Sequence, residues 1–192
     1  MNGGMERPAL GRELYSRDQI EAAVLSLAHE IAMAYRGQPL VLLGVLKGAL
    51  YFTVDLARAI AELANGPSEI FVDYLSVVSY DGADSTGQVR LLLDEATPLE
   101  GRHVLIVEDI ADNGLTLGYL QSLLSERRPA SLRTCTLFDK PSRRKVKIPL
   151  DYVGLTVPNT FAVGYGLDYQ ERYRNLPYLA ELEIQESQRE IT

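Results

Sequence analysis

The chain has 192 residues, 26 acidic against 19 basic, for a net charge of −7. That length suits one domain with a sizeable core, and 46% hydrophobic with 23% charged residues excludes a disordered chain. The acidic balance argues against a broad nucleic-acid surface, which rests on many phosphate-neutralising bases, yet leaves room for a small phosphorylated ligand.

Ser16-Arg17-Asp18-Gln19 has the form of a capping box, with Ser16 as N-cap. Ile20, Ala23, Val24, Leu27 and Ile31 then recur at helical spacing until Gly37. Leu40–Leu46 is a continuous apolar run, the mark of a buried strand. Ala49–Ala64 reads as a second helix closed by Asn65-Gly66, and Ile70–Val78 as a strand rich in β-branched and aromatic residues. Tyr80–Gln88 is polar, with Gly82 and Gly87, and suggests a loop or a mobile hairpin tip. Val89–Leu93 is a short strand, Glu100-Gly101 a turn, and Val104–Val107 a strand apolar at every position. From Thr116, Leu117, Leu120 and Leu124 share a helical face that Pro129 ends. Leu132–Phe138 is a further strand, followed by a basic loop and strands near Tyr152–Val157 and Phe161–Val163.

Short apolar strands alternating with helices predict an α/β fold with a mostly parallel sheet flanked by helices. No linker or repeat divides the chain, so residues 1–192 read as one domain, with the chain ends as a small subdomain. The lone Cys135 excludes an internal disulfide and suggests a reducing compartment. Met1 to Arg12 has no apolar core of signal-peptide length, and no apolar run reaches the ~18–20 residues of a membrane span. A cytoplasmic protein without membrane contact is expected.

In parallel sheets, ligands sit beyond the carboxyl ends of the strands. Three such ends carry unusual chemistry here: Lys47-Gly48, Glu108-Asp109 and Asp139-Lys140. Around Glu108-Asp109, an apolar strand runs into two carboxylates, then a small-residue loop, then a helix near Thr116. Free N–H groups at a helix start favour a phosphate, and Gly114, Asn113 and Thr116 allow close approach and side-chain hydrogen bonds. The two acids suit sugar hydroxyls and Mg²⁺ instead. Phosphate at one end and hydroxyls at the other describe a ribose 5-phosphate. The alternative is a plain strand–turn–helix with solvated acids.

The stretch Val104-Leu105-Ile106-Val107-Glu108-Asp109-Ile110-Ala111-Asp112-Asn113-Gly114-Leu115-Thr116-Leu117 closely resembles the phosphoribosyl-pyrophosphate (PRPP) motif of type I phosphoribosyltransferases. The subgroup it resembles is the hypoxanthine-guanine phosphoribosyltransferases. Val45-Leu46-Lys47-Gly48-Ala49 resembles their pyrophosphate loop, and Ser79-Tyr80 with Ser85-Thr86-Gly87 their flexible loop, about residues 79–88. Leu137-Phe138-Asp139-Lys140-Pro141 and the run from Phe161 to Tyr169 resemble their purine pocket. Arg174-Asn175-Leu176-Pro177-Tyr178 resembles their C-terminal signature. These motifs follow in order from about Ser16 to Leu182.

The resemblance implies transfer of ribose 5-phosphate from PRPP to hypoxanthine or guanine, giving IMP or GMP and pyrophosphate. It assigns the ribose hydroxyls to Glu108 and Asp109, acid/base work at purine N7 to Asp112, and the 5′-phosphate to Ala111, Asn113, Gly114, Leu115 and Thr116. Lys47, Gly48 and Arg174 fall to pyrophosphate, and Ser79 and Tyr80 to a lid over the site. Lys140, Phe161, Ala162 and Asp168 fall to the purine, and Glu108, Asp109 and Asp168 to Mg²⁺. Asn113 departs from the pattern, which usually has Thr or Ser there. The resemblance further implies a homodimer or homotetramer and, commonly, a non-proline cis peptide at the pyrophosphate loop. Lys140 has its own logic, since an ammonium donates only; facing purine position 6 it donates to a keto oxygen and opposes the amino group of adenine.

Three rivals remain open: a PRPP-sensing regulator, a phospho-receiver domain, and a sister enzyme preferring xanthine or guanine. No Gly-x-Gly-x-x-Gly, P-loop, His-Glu-x-x-His or Gly-x-Ser-x-Gly pattern is present. His29 and His103 read as surface or structural groups, Cys135 as inert core.

Overall fold

The structure is a computed structural model, and it describes residues 9–79 and 89–183. Ser16 caps helix α1 (Arg17–Ala34) as the sequence predicts: its hydroxyl accepts from Gln19 N at 3.3 Å, and Gln19 Oε1 accepts from Ser16 N at 2.9 Å. The apolar run after Gly37 forms β2 (Pro39–Leu46), and α2 follows at Leu50–Ala61. β1 (Ala9–Tyr15) precedes them. β3 (Glu69–Ser79), β4 (Val89–Leu93), β5 (His103–Ala111), α3 (Leu115–Ser125), β6 (Ser131–Asp139) and β7 (Tyr152–Thr156) continue the chain. Two short strands, β8 (Ala162–Val163) and β9 (Leu179–Glu183), end it.

The main sheet runs β4-β3-β2-β5-β6-β7. Only the β3–β4 pair is antiparallel. The predicted mostly parallel, helix-flanked sheet is therefore what forms. Strand alternation distributes side chains to two cores. Leu40 and Leu42 of β2 and Leu105 and Val107 of β5 pack with α1 and α2. Val41, Leu43, Val45, Val104 and Ile106 pack with Leu117, Leu120 and Leu124 of α3. Burying each such side chain contributes about 1.5–3 kcal/mol, which fixes α3 on one face and α1 with α2 on the other.

Two differences from the sequence reading concern the site. β5 extends through Ala111, so Glu108 and Asp109 lie inside the strand, paired with β6 as far as Ala111↔Asp139. The Phe161–Val163 segment does not join the parallel sheet. Ala162 and Val163 pair antiparallel with Glu181 and Ala180, and β9 pairs with β1, giving a separate sheet of order β1-β9-β8. Among the described residues no helix is long and apolar enough to cross a membrane.

Candidate active site

The carboxyl ends of β2, β5 and β6 lie side by side in the sheet, and Gly48, just after β2, is approached closely by Asp109 of β5 and by Gly166. A Cβ on Gly48 would lie 1.7 Å from Asp109 Oδ2, and a Cβ on Gly166 would lie 2.0 Å from the Gly48 carbonyl oxygen. Only glycine permits both approaches. Gly166 has φ +101°, a conformation other residues rarely adopt. The Leu46–Lys47 peptide is cis, as the pyrophosphate-loop resemblance implies.

Glu108 and Asp109 are both buried. Burial, then the neighbouring Asp109 charge, pushes the Glu108 carboxyl well above its ordinary range. Burial also raises Asp109, opposed by hydrogen bonds from Glu108 and the Ile110 N–H and by the Arg174 charge. Asp109 Oδ1 accepts from Ile110 N at 2.7 Å. Glu108 Oε2 is buried without a hydrogen-bond partner in the protein. Such an orphaned acceptor asks for a hydroxyl donor or a cation. A concavity of ≈220 Å³ opens here, lined by Glu108 through Gly114 with Thr116 and Leu117.

The floor of that concavity is the start of α3. Gly114 takes φ +88°, and no acid lies in the first turn, so the helix dipole there favours an anion. Asn113 behaves in an unexpected way. Its Oδ1 accepts from Leu115 N at 2.8 Å, so the side-chain oxygen caps the helix locally. Its backbone oxygen accepts from Lys145 N and Val146 N at 2.9 and 3.2 Å. The basic stretch after β6 thus folds back onto this loop.

Asp112 and Lys140 stand on either side of the loop. Lys140 N donates to Ala111 O at 3.0 Å, which ties the β6 exit to the β5 exit. Lys140 is 6% exposed, and its ammonium donates to Thr160 O. Burial lowers its pKa, with Asp112 acting against that and Arg143 with it. Asp112 Oδ1 lies 3.1 Å from Arg143 Nε, but no hydrogen bond satisfies it.

Phe161 is 36% exposed, with its ring edge-to-face against Tyr169 at 5.7 Å. Taken alone, the sequence favours a core position for it; its partly open face suits a stacking platform. Ala162 is buried in β8.

Asp168 is engaged at both oxygens. Oδ1 lies 2.7 Å from Arg174 Nη2, and Oδ2 accepts from Glu171 N at 2.8 Å. Arg174 Nη1 donates to Gly166 O at 2.7 Å, while Arg174 Nε is buried without a partner. Glu171, which the sequence reading passed over, joins this group: its carboxylate is 2.9 Å from Lys47 Nζ and 3.4 Å from Arg174 Nη2. No spacing signal marks it; only the return of residues 170–174 onto the β2 exit brings it there.

Ser79 ends β3, but its side chain, Tyr80 and the predicted lid through residue 88 lie outside the described residues. No group of three or more His, Cys, Asp or Glu able to hold a metal occurs among the described residues. A larger cavity of ≈540 Å³ lies between α1 and α2, lined by Arg17, Asp55, Tyr165 and Arg174 among others; it contains neither the paired acids nor Lys140. Cys135 is fully buried in β6, and burial pushes its thiol up, as expected of inert core.

The Phosphoribosyl transferase domain family matches residues 12–170. The chain is 45% identical over 192 aligned residues to the hypoxanthine-guanine phosphoribosyltransferase of Mycobacterium avium, covering 92% of both chains. It is 43% identical to that of Bacillus subtilis, covering 93% of this chain and 96% of the other. Among solved structures, it resembles the hypoxanthine phosphoribosyltransferase of Trypanosoma cruzi in complex with the product IMP. There the TM-score is 0.83 and the identity 43%, over 90% of this chain and 94% of the other.

Proposed function

The chain belongs to the phosphoribosyltransferase family, and from that premise we propose how its own residues carry the reaction of the hypoxanthine-guanine branch. The protein is a purine-salvage enzyme. It transfers ribose 5-phosphate from PRPP to hypoxanthine or guanine, releasing pyrophosphate and giving IMP or GMP.

The observation that carries the residue assignment is the run from Glu108 to Thr116: buried, under-satisfied carboxylates followed directly by a glycine-opened helix start. The 5′-phosphate lies against Ala111, Asn113, Gly114, Leu115 and Thr116, where helix N–H groups and the dipole favour it. Glu108 and Asp109 accept from the ribose 2′- and 3′-hydroxyls. As the bond to pyrophosphate breaks, positive charge grows on the ribose, and these carboxylates stabilise it. Asp112 takes the proton from purine N7 as the ring nitrogen attacks C1′; its unsatisfied Oδ1 supports that role. Lys140 donates to the 6-oxo group, Phe161 stacks on the ring, and the Ala162 segment and Asp168 read the remaining purine edge. Lys47, Gly48 and Arg174 take the departing pyrophosphate.

Mg²⁺ fits this donor set, because it is commonly held by one or two carboxylates together with substrate phosphates. Glu108 and Asp109 would hold it, with Asp168 once Arg174 moves to the diphosphate. The ion supplies charge neutralisation for PRPP. We further propose that the β1-β9-β8 sheet forms a hood over the purine, that residues 79–88 cover the site, and that the enzyme works as a cytoplasmic homodimer or homotetramer.

A substrate panel tests the assignment: hypoxanthine, guanine, xanthine and adenine, each with PRPP and Mg²⁺. Turnover of the first two and none of adenine is the expected result. Adenine turnover by the wild-type protein overturns the role given to Lys140. Full turnover in excess chelator overturns the metal assignment.

A further inference from the structure

Glu171 is a carboxylate set among groups that serve an anionic ligand. Its two oxygens divide between two cations: Oε2 is 2.9 Å from Lys47 Nζ, and Oε1 is 3.4 Å from Arg174 Nη2. Lys47 closes the β2 exit beside Gly48, so this one acid joins the start of the pyrophosphate loop to the C-terminal signature across 124 positions. The backbone is shaped to present it. Gln170 and Glu171 have φ +51° and +63°, left-handed values unfavourable for these residues, and Glu171 N is held by Asp168 Oδ2 at 2.8 Å. A diphosphate bound to Lys47 and Arg174 would compete with this carboxylate for both cations.

We infer that Glu171 is an internal anion that occupies the pyrophosphate cations in the free enzyme and is displaced when a diphosphate binds. This rests on the assignment of Lys47, Gly48 and Arg174 to pyrophosphate. The side chains of Lys47 and Glu171 are 65% and 63% exposed, so their ion pair is weak and easily exchanged. A diphosphate brings several charges and wins the exchange. Until then Glu171 holds Lys47 and adds to the hold of Asp168 on Arg174, and it shields both cations from singly charged anions. Its cost is a weaker grip on the product, which favours release.

The test is calorimetric titration of pyrophosphate with Mg²⁺ into four proteins: wild type, Glu171→Gln, Lys47→Gln and the double variant. Both substitutions are at exposed side chains, and melting temperatures verify folding. Glu171→Gln is expected to bind pyrophosphate about fivefold more tightly, the upper worth of an exposed ion pair. KM for PRPP should fall in parallel while KM for hypoxanthine holds. In the Lys47→Gln background the gain should shrink to about twofold or less. Unchanged or weaker pyrophosphate binding by Glu171→Gln overturns the inference and makes Glu171 a plain support for the cations. If wild type itself binds no pyrophosphate, the assignment of the cations fails and the inference falls with it.

Discussion

Gly48 and Asp109 are in direct contact across two strands: the space a Cβ of Gly48 would need is already filled by Asp109 Oδ2, 1.7 Å away. The loop proposed for pyrophosphate and the acid proposed for the ribose are therefore one packed unit, held together by adjacent parallel strands β2 and β5. Gly48→Ala should displace the Asp109 carboxylate. Overpacking of this kind costs about 1–3 kcal/mol, and here much of it falls on the site. KM for PRPP is expected to rise more than tenfold, with a modest drop in Tm. An unchanged KM would show that Asp109 can move without loss.

Asp112→Asn keeps shape and removes the base. A positioned general base contributes roughly 10²–10⁴-fold, so kcat should fall by that amount. PRPP affinity, measured by calorimetry, should stay nearly constant. Wild-type single-turnover rates would remove Asp112 from the proton transfer.

Glu108→Gln separates stability from function. The wild-type carboxyl is buried beside Asp109, and both are held above their usual range. Removing that repulsion should stabilise the ligand-free protein by about 1 kcal/mol, since functional sites commonly retain strained charges at a cost in stability. Thermal melting should show the gain, and PRPP titration should show affinity lost. A Tm below wild type would mean Glu108 is held by partners stronger than its own burial.

Asn113→Thr tests the departure from the family pattern. Asn113 Oδ1 is committed to Leu115 N, so it consumes a helix-start donor that would otherwise serve the phosphate. A threonine hydroxyl both accepts and donates. PRPP binding should tighten by about 1 kcal/mol, roughly fivefold, while purine affinity without PRPP stays unchanged. Weaker PRPP binding would identify the asparagine cap as an adapted part of this loop.

Asp73 predicts a pH effect away from the chemistry. Its carboxylate accepts from Tyr74 N, Ala96 N and Thr97 N at 2.7, 2.9 and 2.7 Å, clamping the segment after β4 to β3. Burial alone would raise this group, but the hydrogen bonds from Thr97, Tyr74 and Ala96 outweigh it and bring it below the usual value. A carboxyl with a depressed native value stabilises above its unfolded value, and that stability is lost as pH falls through the native one. Asp73→Asn should therefore lower Tm at pH 7 by about 2–4 °C, for a partly exposed group worth about 1 kcal/mol. The two proteins should converge below the ordinary aspartate range. A gap that persists at low pH would point to lost shape rather than lost charge.

Strand β5 and helix α3 were readable because local patterns specify them. Val104 to Val107 is apolar throughout, and the Leu117, Leu120 and Leu124 spacing fixes the buried face of α3. The small sheet was not. β1 is mostly exposed and lacks strand alternation, and its partner β9 lies more than 160 residues away in Ala9↔Glu183. Glu171 escaped for the same reason, because its partner Lys47 is far along the chain. Phe161 was ambiguous, since an apolar side chain reads as core until its neighbours leave one face open.

The backbone oxygen of Asn113 accepts from Lys145 and Val146, and Val146 O would lie 2.9 Å from a Cβ on Gly114. The loop proposed for the 5′-phosphate is thus braced by a second stretch of chain some thirty residues downstream. The motif is not a transferable cassette. Grafted alone into another α/β sheet, residues 104–117 would keep their sequence and lose their mould. Conversely, changes confined to residues 144–147, given no substrate contact in the proposed function, should register as altered PRPP affinity.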